Sequence, residues 1–154
     1  MREVQFRRAA LADIDTLVRL QAGYYQEDGY AYDERKARQA WETFLSDTRL
    51  GSAWAVDSAA GLVGYLVVTL GYSLEFLGAD AFVDELYLIP AVRGQGLGRQ
   101  ALRVAEAVCA ELGVDALHLE VERSKTGARE LYRRFGFVDS ERVLMTKRLR
   151  RTAK

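Results

Sequence analysis

The chain has 154 residues, with 22 Lys+Arg against 22 Asp+Glu, so its formal charge is zero. That length suits one domain over residues 1–154, and the balanced charge excludes the broad basic field needed for nucleic acid or an anionic membrane. One cysteine, Cys109, and one histidine, His118, exclude an internal disulfide and a Cys/His metal centre, and no apolar run has the length of a membrane span.

The N-terminal stretch MREVQFRRAALADID has no signal-peptide core, so a cytoplasmic location is expected. Residues 4–7 read as a first strand. Residues 12–22 read as a helix, with Ile14, Leu17, Val18 and Gln21 on one stripe. The Tyr- and acid-rich stretch around Gly29 reads as a loop. Ala37, Ala40, Trp41, Phe44 and Leu45 then mark a second helix over residues 33–45. Residues 52–56, 62–72 and 82–89 read as strands, with turns at 58–61 and 78–80. Next comes a helix ended by Gly113, a strand over 116–122 and a helix around Ala128, Leu131, Tyr132 and Phe135. Residues 137–139 and 143–149 are expected to close the fold as a hairpin. The order is βααβββαβαββ, a mixed, mostly antiparallel α/β (α+β) sheet. The strand–helix–strand step from 82–89 to 116–122 makes those two strands parallel.

The segment VRGQGLGR, residues 92–99, stands between a strand and a helix. A helix start leaves N–H groups unpaired and carries partial positive charge. Glycine lets a ligand approach that backbone, so Gly94, Gly96 and Gly98 form an anion site, to which Arg93 and Arg99 add charge. A pyrophosphate is the expected ligand. No Gly-Lys-Ser/Thr follows, so the loop is not a P-loop. A dinucleotide fingerprint can be read from Gly96 through Gly98 to Ala101, but antiparallel strands precede it where that fold opens with parallel ones.

Arg93-Gly94-Gln95-Gly96-Leu97-Gly98 matches R-x-x-G-x-G, and Ala128 to Phe137 reads A-x-x-L-Y-x-x-x-G-F. On these motifs and the element order the chain resembles the GNAT superfamily of acetyl-CoA-dependent N-acetyltransferases along nearly its whole length. The resemblance implies acetyl-CoA as donor, held by residues 93–99, including Gln95 and Leu97, and by the backbone of Leu86, Tyr87 and Leu88 at a bulge and splay in the fourth strand. It also implies a Tyr132 hydroxyl directed at the cofactor sulfur, where periodicity alone gives a core residue. Lys125 stands where the family often has asparagine, and can reach a cofactor phosphate or solvent.

Acyl transfer to an amine requires a neutral amine, and an ammonium of pKa about 10.4 must therefore lose a proton. Asp84 and Glu85 are adjacent acids on the fourth strand, and they face opposite sides unless a bulge changes the phase. Glu85 is the favoured base, with Asp84 and Glu75 as the other candidates, and Tyr132 is the acid. Cys109 falls on a helix's apolar face, which argues against an acyl-cysteine. Glu27, Asp28, Tyr30 and Glu75 are the candidate acceptor contacts. They point to a small cationic amine: a polyamine, a lysine-like amino acid or an aminoglycoside. The alternatives are a protein N-terminus or lysine as acceptor, a non-catalytic coenzyme A-binding regulatory domain, and a nucleotide-binding module. No metal, nucleic acid or membrane partner is expected, and a homodimer is left open.

Overall fold

A computed structural model describes residues 4–149. Strands β1 (Gln5–Arg8), β2 (Gly51–Ser58), β3 (Gly61–Ser73), β4 (Gly78–Leu88) and β5 (Ala116–Leu119) form one sheet in sequence order. All neighbours are antiparallel except β4 and β5, which are parallel, as the crossover through a helix requires. The helices are α1 (Ile14–Asp28), α2 (Glu34–Ser46), α3 (Leu97–Leu112) and α4 (Thr126–Phe135).

The central strands are buried on both faces. Along β3 the alternation sends Tyr65 and Val67 toward α1 and α2, where they pack with Leu17, Val18 and Trp41. Leu66 and Val68 go to the opposite face, against Ala101, Leu102, Ala105 and Cys109 of α3. Burial of each large apolar side chain contributes about 1.5–3 kcal/mol, so the two helix layers hold the sheet from both sides.

One irregularity sets the functional geometry. Val67 lies opposite Glu85, yet the next residue, Val68, lies opposite Val83, so Asp84 is the extra residue of a β-bulge. Glu85 therefore shares the α1–α2 face with Tyr65, Val67 and Tyr87, while Val83 shares the α3 face.

Several boundaries differ from the expectations. Helix α1 runs on to Asp28, through residues read as loop, because Tyr24 stacks on Tyr87 and Tyr25 bonds to Glu85. The β3–β4 turn falls at residues 74–77, ahead of the expected Gly78 turn. Strand β5 stops at Leu119. The closing hairpin does not form among the described residues: 137–149 have no ladder partner there, and Val143, Leu144, Met145 and Leu149 are exposed. Among the described residues the order is thus βααβββαβα, and no helix is long and apolar enough to cross a membrane.

Candidate active site

The β4–β5 ladder ends at the pair Val83 and Leu119, so residues 84–88 of β4 have β3 on one side only. Main-chain groups of an antiparallel strand alternate between neighbours. Ile89 donates its N–H to Val63 of the β3 side (2.9 Å), which places Glu85 and Tyr87 in the same phase. The N–H groups of Leu86 and Leu88 consequently turn to the side that β5 has left. A cleft of about 1140 Å³ opens there, walled by Leu86 to Leu88, the glycine loop and the α4 face carrying Ala128, Leu131 and Tyr132.

The glycine loop forms one end of the cleft. Gly94 and Gly96 have φ of 74° and 81°, in the left-handed region where other residues are strained. A Cβ on either would meet nothing within 4 Å, so these positions are kept bare toward open space. The first α3 hydrogen bond runs from the Gln100 N–H to the Gly96 carbonyl (3.1 Å), which leaves the Leu97, Gly98 and Arg99 N–H groups without helical partners. Leu97 itself is buried in the core, and Gln95 donates from its amide to the Ala91 carbonyl (3.2 Å). Their side chains therefore pack and brace the loop, and any ligand contact falls to the backbone.

The two flanking arginines differ. Arg93 donates to the Leu88 carbonyl (2.8 Å) and to Glu27 (2.7 Å), and its guanidinium lies over the Tyr87 ring at 5.6 Å. It is a strut between the loop and α1. Arg99 lines the cleft and makes no ion pair among the described residues, so its charge is free for an anion.

The extension of α1 redirects the expected acceptor residues. Glu27 accepts from Arg93 and from the Tyr87 hydroxyl (2.9 Å), and the Arg93 bond holds its carboxyl below the usual range. Asp28 accepts from the Lys125 ammonium at 2.6 and 2.7 Å, and the Tyr30 hydroxyl donates to Glu122. Glu27, Asp28, Tyr30 and Glu122, with Lys125, line the large cleft, and their contacts tie the end of α1 across it. Glu75 sits on the β3–β4 turn, paired with Arg142 at 2.6 Å, and lines neither this cleft nor the smaller cavity beyond the bulge.

That smaller cavity, about 380 Å³, lies on the α1–α2 face and is walled by Tyr25, Tyr32, Trp41, Phe44, Asp84 and Glu85. Glu85 is its anchored anion. It accepts from Tyr25 (2.7 Å), from Tyr65 (2.8 Å) and, on both carboxylate oxygens, from the Gln21 amide nitrogen (3.0 and 3.2 Å). Desolvation pushes its carboxyl up, and these donors partly offset that rise. Gln21 is fixed in turn by the Trp41 indole N–H at 3.0 Å. Asp84 has neither a hydrogen bond nor an ion pair among the described side chains, and desolvation raises its carboxyl. Asp84 borders both the small cavity and the large cleft. Two acids thus face one aromatic pocket with no cation paired to either. Tyr132, on the far wall of the cleft, is kept in its phenol form by burial.

Gln21 reads only as part of the first helix's stripe and Tyr65 carries no separate signal in its strand; the cross-strand register and the packing of α1 show them as the holders of Glu85. Cys109 is buried in the α3 core, and His118 pairs with Asp80 (3.4 Å) on the sheet edge; neither lines the small cavity or the large cleft. Among the described residues no group of three or more His, Cys, Asp or Glu is placed to hold a metal.

The acetyltransferase (GNAT) family profile matches residues 14–137. The chain is a member of the GNAT acetyltransferase family. The GNAT chain is 33% identical over 70 residues to the uncharacterized N-acetyltransferase YycN of Bacillus subtilis. That alignment covers 46% of this chain and 44% of YycN, less than half the length of the curated relative. An integron cassette protein from the mobile metagenome of Cole Harbour salt marsh superposes with TM-score 0.86 at 38% identity, over 95% of this chain and 91% of that one. The crystal structure of a predicted acetyltransferase with acetyl-CoA from Clostridium acetobutylicum superposes with TM-score 0.81 at 16% identity, over 94% and 96%, which shows the shared fold.

Proposed function

We propose that this GNAT protein transfers the acetyl group of acetyl-CoA to a primary amine of a small cationic molecule by direct attack. The observation that carries the acceptor class is the pair Asp84 and Glu85, two acids lining one aromatic cavity with no cation of the protein bound to either. A desolvated carboxylate without a counter-ion favours a cationic ligand, and the faces of Tyr25, Tyr32 and Trp41 favour it further. At about 380 Å³ the cavity is at the small end for ligand sites, which suits a linear polyamine or a lysine-like amino acid better than a multi-ring aminoglycoside.

The donor's thioester supplies the acyl group. The backbone N–H groups of the α3 start and Arg99 hold its pyrophosphate, and the outward N–H groups of Leu86 and Leu88 offer donors to the acetyl oxygen as charge develops on it. Asp84, which borders both cavities and has no competing partner, takes the ammonium proton. Glu85, already engaged by three side chains, acts as the fixed anionic anchor. Tyr132 gives a proton to the departing thiolate. On this reading the base role passes from Glu85 to its neighbour, supported by the absence of a competing side-chain partner at Asp84 among the described residues.

The test is thiol release from acetyl-CoA across a panel holding a linear polyamine, lysine, an aminoglycoside, a neutral amine and an acidic peptide. The linear cations are expected to react fastest. Equal rates across the panel overturn the acceptor class, and no thiol release with any amine overturns the enzymatic reading.

A further inference from the structure

The last turn of α1 is disfavoured by its own charges. It holds Glu27 and Asp28 and no basic residue, so two carboxylates stand at the negative end of the helix dipole. Cations from two other elements hold that turn in place. Arg93, from the glycine loop, binds Glu27, and Lys125, the N-cap residue of α4, binds Asp28. Both elements wall the large cleft.

The Lys125–Asp28 pair is the more deeply set of the two. The Asp28 side chain is 10% exposed, against 37% for Glu27. The ammonium meets both Asp28 oxygens, at 2.6 and 2.7 Å, and stands 5.8 Å from the centre of the Tyr24 ring. The backbone behind it is fixed as well: the Lys125 N–H donates to the Glu122 carbonyl and the Lys125 carbonyl accepts from the Arg129 N–H, both at 3.0 Å.

On α1, Gln21, Tyr25 and Asp28 follow at spacings of four and three, which puts them on one face of the helix. Gln21 and Tyr25 hold Glu85, and Gln21 also accepts from the Trp41 indole. Tyr24 meets Tyr25 edge-on at 5.4 Å and stacks on Tyr87. A contact made on the wall of the large cleft is thus continuous, through two helical turns, with the side chains that wall the small cavity.

We propose that Lys125 is a positioning residue for the amine. Through Asp28 it fixes the end of α1, and through Gln21 and Tyr25 it fixes Glu85, so it acts on the small cavity from the wall of the large one. It leaves the donor's phosphates to other groups, because opening the pair would strand a largely desolvated Asp28 carboxylate, whereas Arg99 has no ion pair among the described residues to give up. This inference rests on the reading of the small cavity as the amine site.

Lys125→Met and the double variant Asp28→Asn/Lys125→Met test it, the double variant removing the carboxylate that the single one strands. For both, the KM for a linear diamine is expected to rise about tenfold, with kcat and coenzyme A affinity changed by less than about twofold. In a Trp54→Phe background, which leaves Trp41 as the sole tryptophan, both are also expected to shift the Trp41 emission to longer wavelength without any amine present. A loss of coenzyme A affinity that shrinks with salt, at unchanged diamine KM, overturns the proposal and makes Lys125 a phosphate contact. Unchanged Trp41 emission in the double variant overturns it too, since the end of α1 then does not reach the cavity. A wild type without preference for the diamine over a monoamine overturns the amine site instead and leaves the Trp41 emission to decide the α1 link alone.

Discussion

Replacement of Asp84 by asparagine is the sharpest perturbation of the proposed chemistry. The two side chains have nearly the same shape, and Asp84 makes no side-chain hydrogen bond or ion pair among the described residues, so the change removes the base without disturbing a network. The magnitude follows from the acceptor. An amine of pKa about 10.4 is neutral in only about one molecule in 10³ near pH 7.4, and each pH unit multiplies that fraction by about ten. A positioned base is worth roughly 10²–10⁴-fold. The wild type accepts the ammonium form, so its kcat/KM should be level between the Asp84 carboxyl and the amine pKa. The variant depends on pre-formed free amine. Its log kcat/KM should rise with a slope near one, from a deficit of about 10³-fold near pH 7 toward parity near pH 10. The assay is initial-rate thiol release from pH 6 to 10 with a linear polyamine. Parallel profiles for the two proteins would refute the assignment, and so would a pH-dependent loss that appears in Glu85→Gln and not in Asp84→Asn.

Gly96→Val places a β-branched residue at φ 81° and a side chain in the open space above the loop, so coenzyme A affinity measured by calorimetry should fall by at least tenfold while the protein stays folded. Arg99→Ala should weaken coenzyme A binding, with a loss that shrinks as salt rises, because this guanidinium is exposed and free. Arg93→Ala should instead lower thermal stability by loosening Glu27 and α1, which differential scanning fluorimetry can read. Asp84→Asn should also raise the melting temperature at pH 7–8. Burial raises this carboxyl in the folded state, so its ionisation opposes folding above that raised value, and the opposition vanishes below the ordinary carboxylate range. The gain, about 2–4 °C for each kcal/mol in a chain of this size, should be absent near pH 4.

The bare strand-to-helix turn at residues 92–99 was legible because its signal is local: alternate glycines stand directly before an amphipathic helix, and Gly94 and Gly96 take the left-handed φ that glycine allows. The order of elements up to α4 and the parallel β4–β5 step were legible for a similar reason, since the strand–helix–strand crossover is set by the length and period of its segments. A bulge in the fourth strand was expected from the family resemblance, but its position at Asp84 was not legible, because a bulge is a property of a strand pair, and nothing in DELYL states which residue lacks a partner on β3. The extension of α1 through Tyr24 and Tyr25 escaped the pattern for a related reason. Those tyrosines are helical because Tyr87 and Glu85 wait on the sheet, and that pull sets Glu27, Asp28 and Tyr30 on the wall of the large cleft and not of the small cavity. The strand expected over residues 143–149 has strand composition, but composition does not supply a ladder partner, and none pairs with it among the described residues.

The central claim is that the Asp84–Glu85 cavity selects cations, and a matched pair of acceptors tests it most directly. A linear diamine and the monoamine of equal length with a methyl group in place of the second ammonium differ only in that charge. One charge-assisted hydrogen bond is worth about 1.5–3 kcal/mol, so kcat/KM should favour the diamine by about 10- to 100-fold, and Glu85→Gln should erase most of that ratio. Equal kcat/KM for the two amines, or a preference that survives Glu85→Gln unchanged, would contradict the account.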